Sequence, residues 1–417
     1  MPRPIQALIL TARTRTVLLL LVAAFLVTGA SARASAATMY RGANVHSLQS
    51  WNVSSDEMMR ELDTVSSAGA NLVRVDVTWS ALEPAKGHYS DSYLARLDAF
   101  FAAAQARGIK VLATVAASPS WASSNGDWNG APKNPSDFGD IARYLTNRYS
   151  ADMAAIEAWN EPNWNSNLVT GDITGTYAAM LKAFYAGAKQ GNPNVDVLAG
   201  ATAYADISFF RGLWANGGRG YYDGLSVHPY ADGASPSDTS VTHSFIGQLQ
   251  ALHAAQQAVG DNTPIWVTEF GWPTGTSKGA NTEQQSADYL QQAFSILSGL
   301  SYVRGATVYQ LRDMGSNPAD PEDNFGLLHR DFTPRPAYAA FKQAMQGAGG
   351  SSAGAARSGG KRGQLRAHAA AFVRHGCVKL QRRHRRQRRH GGHGGHRGHH
   401  GHHGHHGHHR RAATCRP

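Results

Sequence analysis

Residues 71–118 read NLVRVDVTWSALEPAKGHYSDSYLARLDAFFAAAQARGIKVLATVAAS. The two ends of this stretch, 71–79 and 110–118, are short β-branched and apolar runs. Between them Leu94, Leu97, Phe101 and Ala104 form a stripe at helical spacing that stops at Gly108. Runs with apolar residues on both faces suit parallel strands covered on both sides. The stretch therefore reads strand, helix, strand.

The alternation continues outward. Upstream, 38–46 is strand-like, and Ser54-x-x-Glu57 is a capping box that opens the stripe Met58, Leu62, Val65 and Gly69. Downstream, strand-like runs occur at 155–161, 195–202, 224–230, 264–272 and 305–313. Helical patterns occupy 135–150, 173–190, 239–259, 281–299 and 336–346, and a weaker one at 205–219 is interrupted by Gly212, Gly217 and Gly218. Eight strand–helix repeats predict an α/β fold, a (β/α)8 TIM barrel, over residues 37–348. A doubly wound open sheet is the rival. It usually carries a glycine-rich phosphate loop after an early strand, and Gly42-Ala43-Asn44 is not one.

Both flanks differ from this body. Arg3, Arg13 and Arg15 precede an apolar run from Val17 to Val27, followed by small residues with Ala32-Arg33-Ala34 and Ala34-Ser35-Ala36 as exits. That is the pattern of a secretory signal peptide over 1–36, and the run is short for a bilayer span. The expectation is export, to the medium or the cell wall, with no stable membrane span. Residues 349–417 hold 16 Lys or Arg, no Asp or Glu, and 14 of the chain's 20 His. With four further arginines before residue 35, residues 35–348 are left with 20 basic and 29 acidic side chains. The net charge of +11 thus belongs to the tail and implies no specific nucleic-acid partner for the body.

A segment so poor in large apolar residues is expected to be a disordered basic Arg/His/Gly-rich tail. Binding to an anionic cell-surface polymer and an inert solvated tail both fit its composition. Cys377 and Cys415, the only cysteines, lie in it and are compatible with a disulfide or with free thiols.

The strand ends carry the chemistry. The fourth run ends Trp159-Asn160-Glu161-Pro162-Asn163, and the seventh holds Thr268-Glu269-Phe270-Gly271-Trp272. Active sites of such barrels lie at the C-terminal ends of strands. Two carboxyl groups facing each other there are what glycosidic bond cleavage needs: one protonates the leaving oxygen and the other attacks or activates water. Strands four and seven lie across the mouth from each other, so a gap of about 5 Å, the retaining distance, is expected.

These residues resemble the clan-A retaining glycoside hydrolases, in particular family 5 and family 39 enzymes, including cellulase-like and bacterial exopolysaccharide-degrading ones. The resemblance covers about residues 40–345. It implies Glu161 as acid/base, Glu269 as nucleophile and Asn160 as a contact to the sugar 2-hydroxyl. It implies Arg74 beside the nucleophile, and His228 and Tyr230 of the His-Pro-Tyr run on strand six facing the mouth. Trp121, in Ser118-Pro119-Ser120-Trp121, resembles a family 39 element. Tyr309 stands where many clan members carry a stacking tryptophan. Arg74 is also a candidate ion-pair partner for Asp76 or Asp98, and His228 a candidate core histidine.

Trp79, Trp121, Trp128, Trp164, Trp272 and Tyr230 are candidate mouth aromatics, with Trp121 and Trp272 as sugar contacts. His46, with Asn44, is a weaker substrate-contact candidate. No cluster in the body has metal-ligand sequence spacing, so neither metal nor cofactor is expected. The chain reads as a monomeric, secreted hydrolase of β-linked oligo- or polysaccharide. A non-catalytic carbohydrate-binding barrel and a transglycosylase are the alternatives.

Overall fold

A computed structural model describes residues 39–49 and 53–346. The signal-like segment 1–36, the tail 349–417 and both cysteines lie outside the described residues. Eight parallel strands close into a barrel in sequence order. They are β1 (Tyr40–Val45), β2 (Leu72–Thr78), β3 (Lys110–Ala116), β4 (Met153–Ala158), β5 (Asp196–Ala203), β6 (Gly224–His228), β7 (Ile265–Val267) and β8 (Val303–Val308). Closure is made by β1 on β8, with Tyr40 opposite Gly305 and Ala43 opposite Val308.

Outside the barrel lie α1 (Ser55–Ser67), the short α2 (Trp79–Leu82), α3 (Asp91–Ala106), α4 (Pro135–Arg148) and α5 (Ile173–Gly191). The ring continues with α6 (Ile207–Ala215), α7 (Phe245–Ala258), α8 (Glu283–Gly299) and α9 (Pro336–Gln346). Their ends follow local chemistry. The capping box at Ser54 and Glu57 is formed, and a second one, Thr282 with Gln285, starts α8. The weak pattern at 205–219 yields a nine-residue helix, capped by Asp206.

Several boundaries depart from expectation, among them β4 and β8, which end at Ala158 and Val308 rather than at 161 and 313. Helix α7 begins at Phe245, because the Ser244 side chain accepts the Gly247 N–H as a cap; residues 239–244 belong to the preceding loop. Strand β7 has only three ladder residues. The carbonyl of Thr268, just beyond it, instead accepts from Asn44 Nδ2 at 3.1 Å and Thr307 Oγ1 at 2.6 Å.

The barrel interior changes character along its axis. Its lower layer is apolar: Leu72, Leu112, Ala155, Leu198 and Trp266 pack together with Tyr40 against them. Trp266 and Tyr40 stack at 5.5 Å. The indole fits only because its neighbours on β6 and β8 lack side chains. A Cβ on Gly224 would sit 2.9 Å from the Trp266 ring, and one on Gly305 only 2.3 Å. One residue pair higher, the same inward positions hold Asn44, Arg74, Thr114, Glu157, Ser226 and Thr307, all buried. Alternate residues of a strand point the same way, so each inward stripe carries an apolar floor and then a polar layer.

Gly305→Ala is therefore expected to lose about 1–3 kcal/mol of stability through overpacking. Urea unfolding of Gly305→Ala, Trp266→Leu and the double variant checks this. A strongly sub-additive double-variant loss is the expected outcome.

Candidate active site

Chain direction changes abruptly above β4. Trp159 and Glu161 have left-handed backbones, with φ of 73° and 46°, which is costly for residues with a Cβ. Surrounding bonds hold them there. Trp159 N–H donates to Val115 O at 2.9 Å, and its buried indole Nε1 donates to Asn167 O at 2.9 Å. Glu161 N–H donates to Ala201 O at 2.9 Å. The strained turn places Glu161 over the barrel mouth rather than on the outer face.

Beneath it lies Arg74, fully buried on β2. Its Nε donates to Glu157 Oε2 at 2.9 Å, and its Nη1 donates to Asn44 Oδ1 at 2.8 Å and Glu269 Oε1 at 2.7 Å. Its Nη2 donates to Asn160 Oδ1 at 2.8 Å. Asp76 is more distant, at 3.9 Å, and Asp98 pairs with Arg148 instead. Arg74 thus acts as a four-way anchor that orients Glu269 and Asn160 from below.

Burial pushes the Glu157 carboxyl up, but the charges of Arg74 and His228 and the hydroxyls of Thr114 and Ser226 outweigh it, and the net pKa lies below the usual value. Glu157 was not singled out from the sequence. A charged residue in the middle of the otherwise apolar run Ala155-Ile156-Glu157-Ala158 was the available signal.

Glu269, two residues past β7, receives a second donor: Tyr230 OH at 2.8 Å from Oε2. Burial and the Glu269 charge raise the Tyr230 phenol well above its ordinary value, so it stays protonated and donates. His228 is fully buried at the end of β6, with Nδ1 3.0 Å from Glu161 Oε1 and 3.4 Å from Glu269 Oε2. Burial lowers its pKa, but the Glu269 charge and the Glu161 bond and charge prevail, leaving it raised. His228 therefore lies between the two carboxyl groups rather than in the apolar core.

One ligand atom from each of Glu161, His228 and Glu269 lies within 4.8 Å of the other two, a spacing that could hold a metal ion. The three come from separate strands, so their sequence spacing could not show it. Arg74 already supplies the positive charge at Glu269, which opposes a cation there.

The mouth wall is more varied. Tyr309 is buried, edge-on to His46 at 5.5 Å, and its hydroxyl donates to Glu322 Oε2 at 2.9 Å. Glu322, in the short 3-10 helix Pro321–Asn324, is a further carboxyl that sequence reasoning missed, because four residues are too few to show a period. Burial raises its pKa, the Tyr309 bond opposes this, and the charges of Glu269 and Glu161 add to the rise. His46 Nδ1 lies 3.0 Å from Gln49 Oε1 and 3.7 Å from Asp76 Oδ2.

The aromatic expectations divide. Trp121 is half-buried, edge-on to Trp79, and donates Nε1–H to Glu83 O at 2.9 Å. Trp79 is wholly buried, as a core residue. Trp272 is only 3% exposed and packs among Phe245, Phe270 and Tyr289, so it supports the wall instead of offering a ring face to sugar. Trp164 is 47% exposed.

Fold and site together define a glycoside-hydrolase barrel. The chain belongs to the cellulase family, glycosyl hydrolase family 5, whose family model matches residues 33–298. Similar solved structures share the fold. A family 39 glycoside hydrolase from the gut symbiont Bacteroides cellulosilyticus WH2 has 24% identity and a TM-score of 0.60, over 74% of this chain and 64% of that one. An exo-β-1,4-mannosidase from Opitutaceae bacterium strain TAV5 has 17% identity and a TM-score of 0.57, over 74% and 59%. GH5_18 from Streptomyces cattleya, in complex with GlcNAc, has 19% identity and a TM-score of 0.61, over 76% and 82%. The chain thus spans less than two thirds of the first two proteins. No curated protein sequence matches it.

The buried anchor gives a pH prediction. Glu157 has a depressed folded pKa, so its stabilisation is fully present above the unfolded carboxylate value of about 4.3 and is lost as pH falls through the folded one. Glu157→Gln is expected to lose about 3–5 kcal/mol near neutral pH, because it removes the fully buried one of the two carboxylates that Arg74 bonds. It should also flatten the acid limb of a urea-unfolding series. An acid limb identical to that of the wild type would remove Glu157 from the anchor.

Proposed function

We propose that this chain is an exported, retaining β-glycosidase acting on oligo- or polysaccharide. The observation that carries the reading is the meeting of Glu161 and Glu269 at His228, with one carboxylate oxygen of each within 4.8 Å of the other. Retaining enzymes hold their carboxyl groups about 5–5.5 Å apart, whereas inverting ones leave about 6.5–9.5 Å for a water.

In this reading Glu269, oriented by Arg74 and Tyr230, attacks the anomeric carbon. Glu161 gives its proton to the departing glycosidic oxygen. Glu161 then takes a proton from the water that releases the sugar from Glu269. Asn160, fixed by Arg74 Nη2, leaves its side-chain amide for a sugar hydroxyl. His46, Tyr309 and Trp121 are the proposed wall contacts. Two of the solved barrels bear on sugar type only by their names, as a mannosidase and a GlcNAc complex, so mannosides and N-acetylglucosaminides join glucosides and xylosides in the first test panel.

Export rests on the signal-like pattern at 1–36, and cell-wall association on the basic composition of 349–417. Among the described residues no helix is long and apolar enough to cross a membrane.

Proton NMR of the first-formed product should show retained β configuration; an α product would overturn the reading. Glu269→Gln should abolish turnover. Glu161→Ala should slow poor leaving groups by orders of magnitude more than activated aryl glycosides, because only the former need protonation. Equal losses on both would deny Glu161 the acid role. Deleting 349–417 should keep turnover of soluble oligosaccharide and weaken salt-sensitive binding to acidic wall polymer, measured by co-sedimentation from low to high salt. Unchanged binding would leave the tail inert.

A further inference from the structure

The outside of the barrel wall carries a cavity that the two-carboxylate chemistry does not use. It holds about 280 Å³ between the start of α3, the outer side of α4 and the last turn of α5. Tyr89, two residues before α3, and Tyr144 on α4 line it, their rings stacked 3.9 Å apart and 14° from parallel. Arg143 and Asp140 join them; Arg143 Nη2 donates to Asp140 Oδ1 at 3.1 Å, and both side chains are more than half exposed. Asn147 and Gln190 complete the polar lining. Among the described residues, neither of these amide side chains has a hydrogen-bond partner.

Rigid elements preform the cavity. Helices α4 and α5 cross with their backbones in contact. A Cβ on Gly187 would overlap Gly139 O, and one on Gly139 would sit 2.6 Å from Ala183 O. Further along, Thr146 Oγ1 lies 3.0 Å from Ala188 O. Gly191 borders the cavity and stays bare for the same reason, because a Cβ there would overlap Thr146 Oγ1. Burial, followed by the Glu83 charge, raises the Tyr89 phenol to about 12, so its hydroxyl remains a neutral donor.

One loop links this cavity to the barrel mouth. Residues 83–90 connect α2 to α3, and Tyr89 stands near their far end. At the near end Glu83 O accepts Trp121 Nε1–H at 2.9 Å, and Glu83 Oε2 accepts Trp79 Nε1–H at 2.8 Å. Lys86 Nζ lies 5.7 Å from the centre of the Trp121 ring.

We infer that Tyr89, Tyr144, Arg143, Asp140, Asn147 and Gln190 form a second saccharide site, holding one pyranose of a β-linked polysaccharide while another part of the same chain is cut at the mouth. The inference rests on the function proposed above. The cavity is just under the lower limit of about 300 Å³ for drug-sized ligands, which suits one sugar ring. Its aromatic rings meet the C–H faces of a pyranose. Its carboxylate, guanidinium and amide groups are planar, with paired donors or acceptors that match neighbouring hydroxyls. A polysaccharide leaving the mouth past Trp121 follows residues 83–90 to the cavity. The site therefore serves long substrates and is idle with short ones.

The test compares, in the full-length chain, two substrates of one sugar. One is the shortest oligosaccharide or aryl glycoside that the protein turns over. The other is the soluble polymer of that sugar: β-glucan, β-mannan, β-xylan or glycol chitin. The quantity read is the ratio of kcat/KM values, polymer over short substrate. Tyr144→Ala should lower this ratio on the order of fivefold, the size of losing one ring contact, and through KM rather than kcat. Tyr144→Phe, which keeps the ring, should recover most of it. The basic tail is present in every variant, so its own attraction to polymer cancels.

A ratio within about twofold of wild type in Tyr144→Ala overturns the site. So do equal losses on both substrates, which follow if the tyrosine stack only steadies the loop that holds Trp121. If Tyr144→Ala does not fold, the double variant Asn147→Ala/Gln190→Ala, at two exposed side chains, decides by the same threshold. Wild-type protein that turns over the short substrate but no polymer rejects the second site alone. Protein inactive on every substrate rejects the glycosidase reading with it.

Discussion

A single buried guanidinium constrains this barrel. Arg74 sits at the level where the interior turns from apolar to polar, and its donors reach β1, β4 and the residues just beyond β4 and β7. A buried charge is tolerable only when its partners are held in place, and removing one partner costs several kcal/mol. Glu157 supplies the compensating charge from inside the sheet. Glu269 and Asn160 are then presented upward from one shared donor, with Tyr230 adding a second bond to Glu269. Stability and site geometry are coupled through this one side chain.

The floor beneath Arg74 makes the arrangement rigid. Trp266, wedged between Gly224 and Gly305, fills the lower barrel, so the polar layer rests on close-packed apolar matter. At the seventh strand regular pairing stops below the polar layer, although β2 and β3 stay paired as far as Thr78 and Ala116. Strand β7 ends at Val267, and the carbonyl of Thr268 turns to Asn44 and Thr307. Side chains there sew the mouth where the ladder does not.

Much of this was legible in the sequence, because period and position carry it. Eight buried strand runs alternate with helical stripes, and polar residues break the apolar pattern where strands end. Glu161 and Glu269 stand out in that way, and the resemblance to clan-A glycoside hydrolases is what adds Arg74, His228 and Tyr230 to them. What was not legible depends on side-chain direction or on contacts between distant loops. Glu157 reads as one residue within a strand until Arg74 is placed 2.9 Å from it. Glu322 lies in a four-residue 3-10 helix, too short to show a period, and only folding brings it to Tyr309. Trp272 resembled a mouth aromatic because it follows Glu269 closely, yet its ring turns into the aromatic shell. The pattern at 239–259 ran six residues too far because a cap, not hydrophobicity, sets the start of α7.

The order in which the anchor's partners emerge from the ribosome has a consequence of its own. Arg74 and Glu157 are 83 residues apart in the chain, Arg74 and Glu269 are 195 apart, and Asn44 reaches Val308 across 264. Contacts of such long range are closed late, after their loop entropy has been met. A growing chain can assemble the lower half of the anchor while the segment bearing the seventh strand is still being made. The second carboxylate and the seam between first and last strands come only with the final part of the barrel. The protein is therefore without a working site for most of its synthesis, and it gains one only when the cylinder closes.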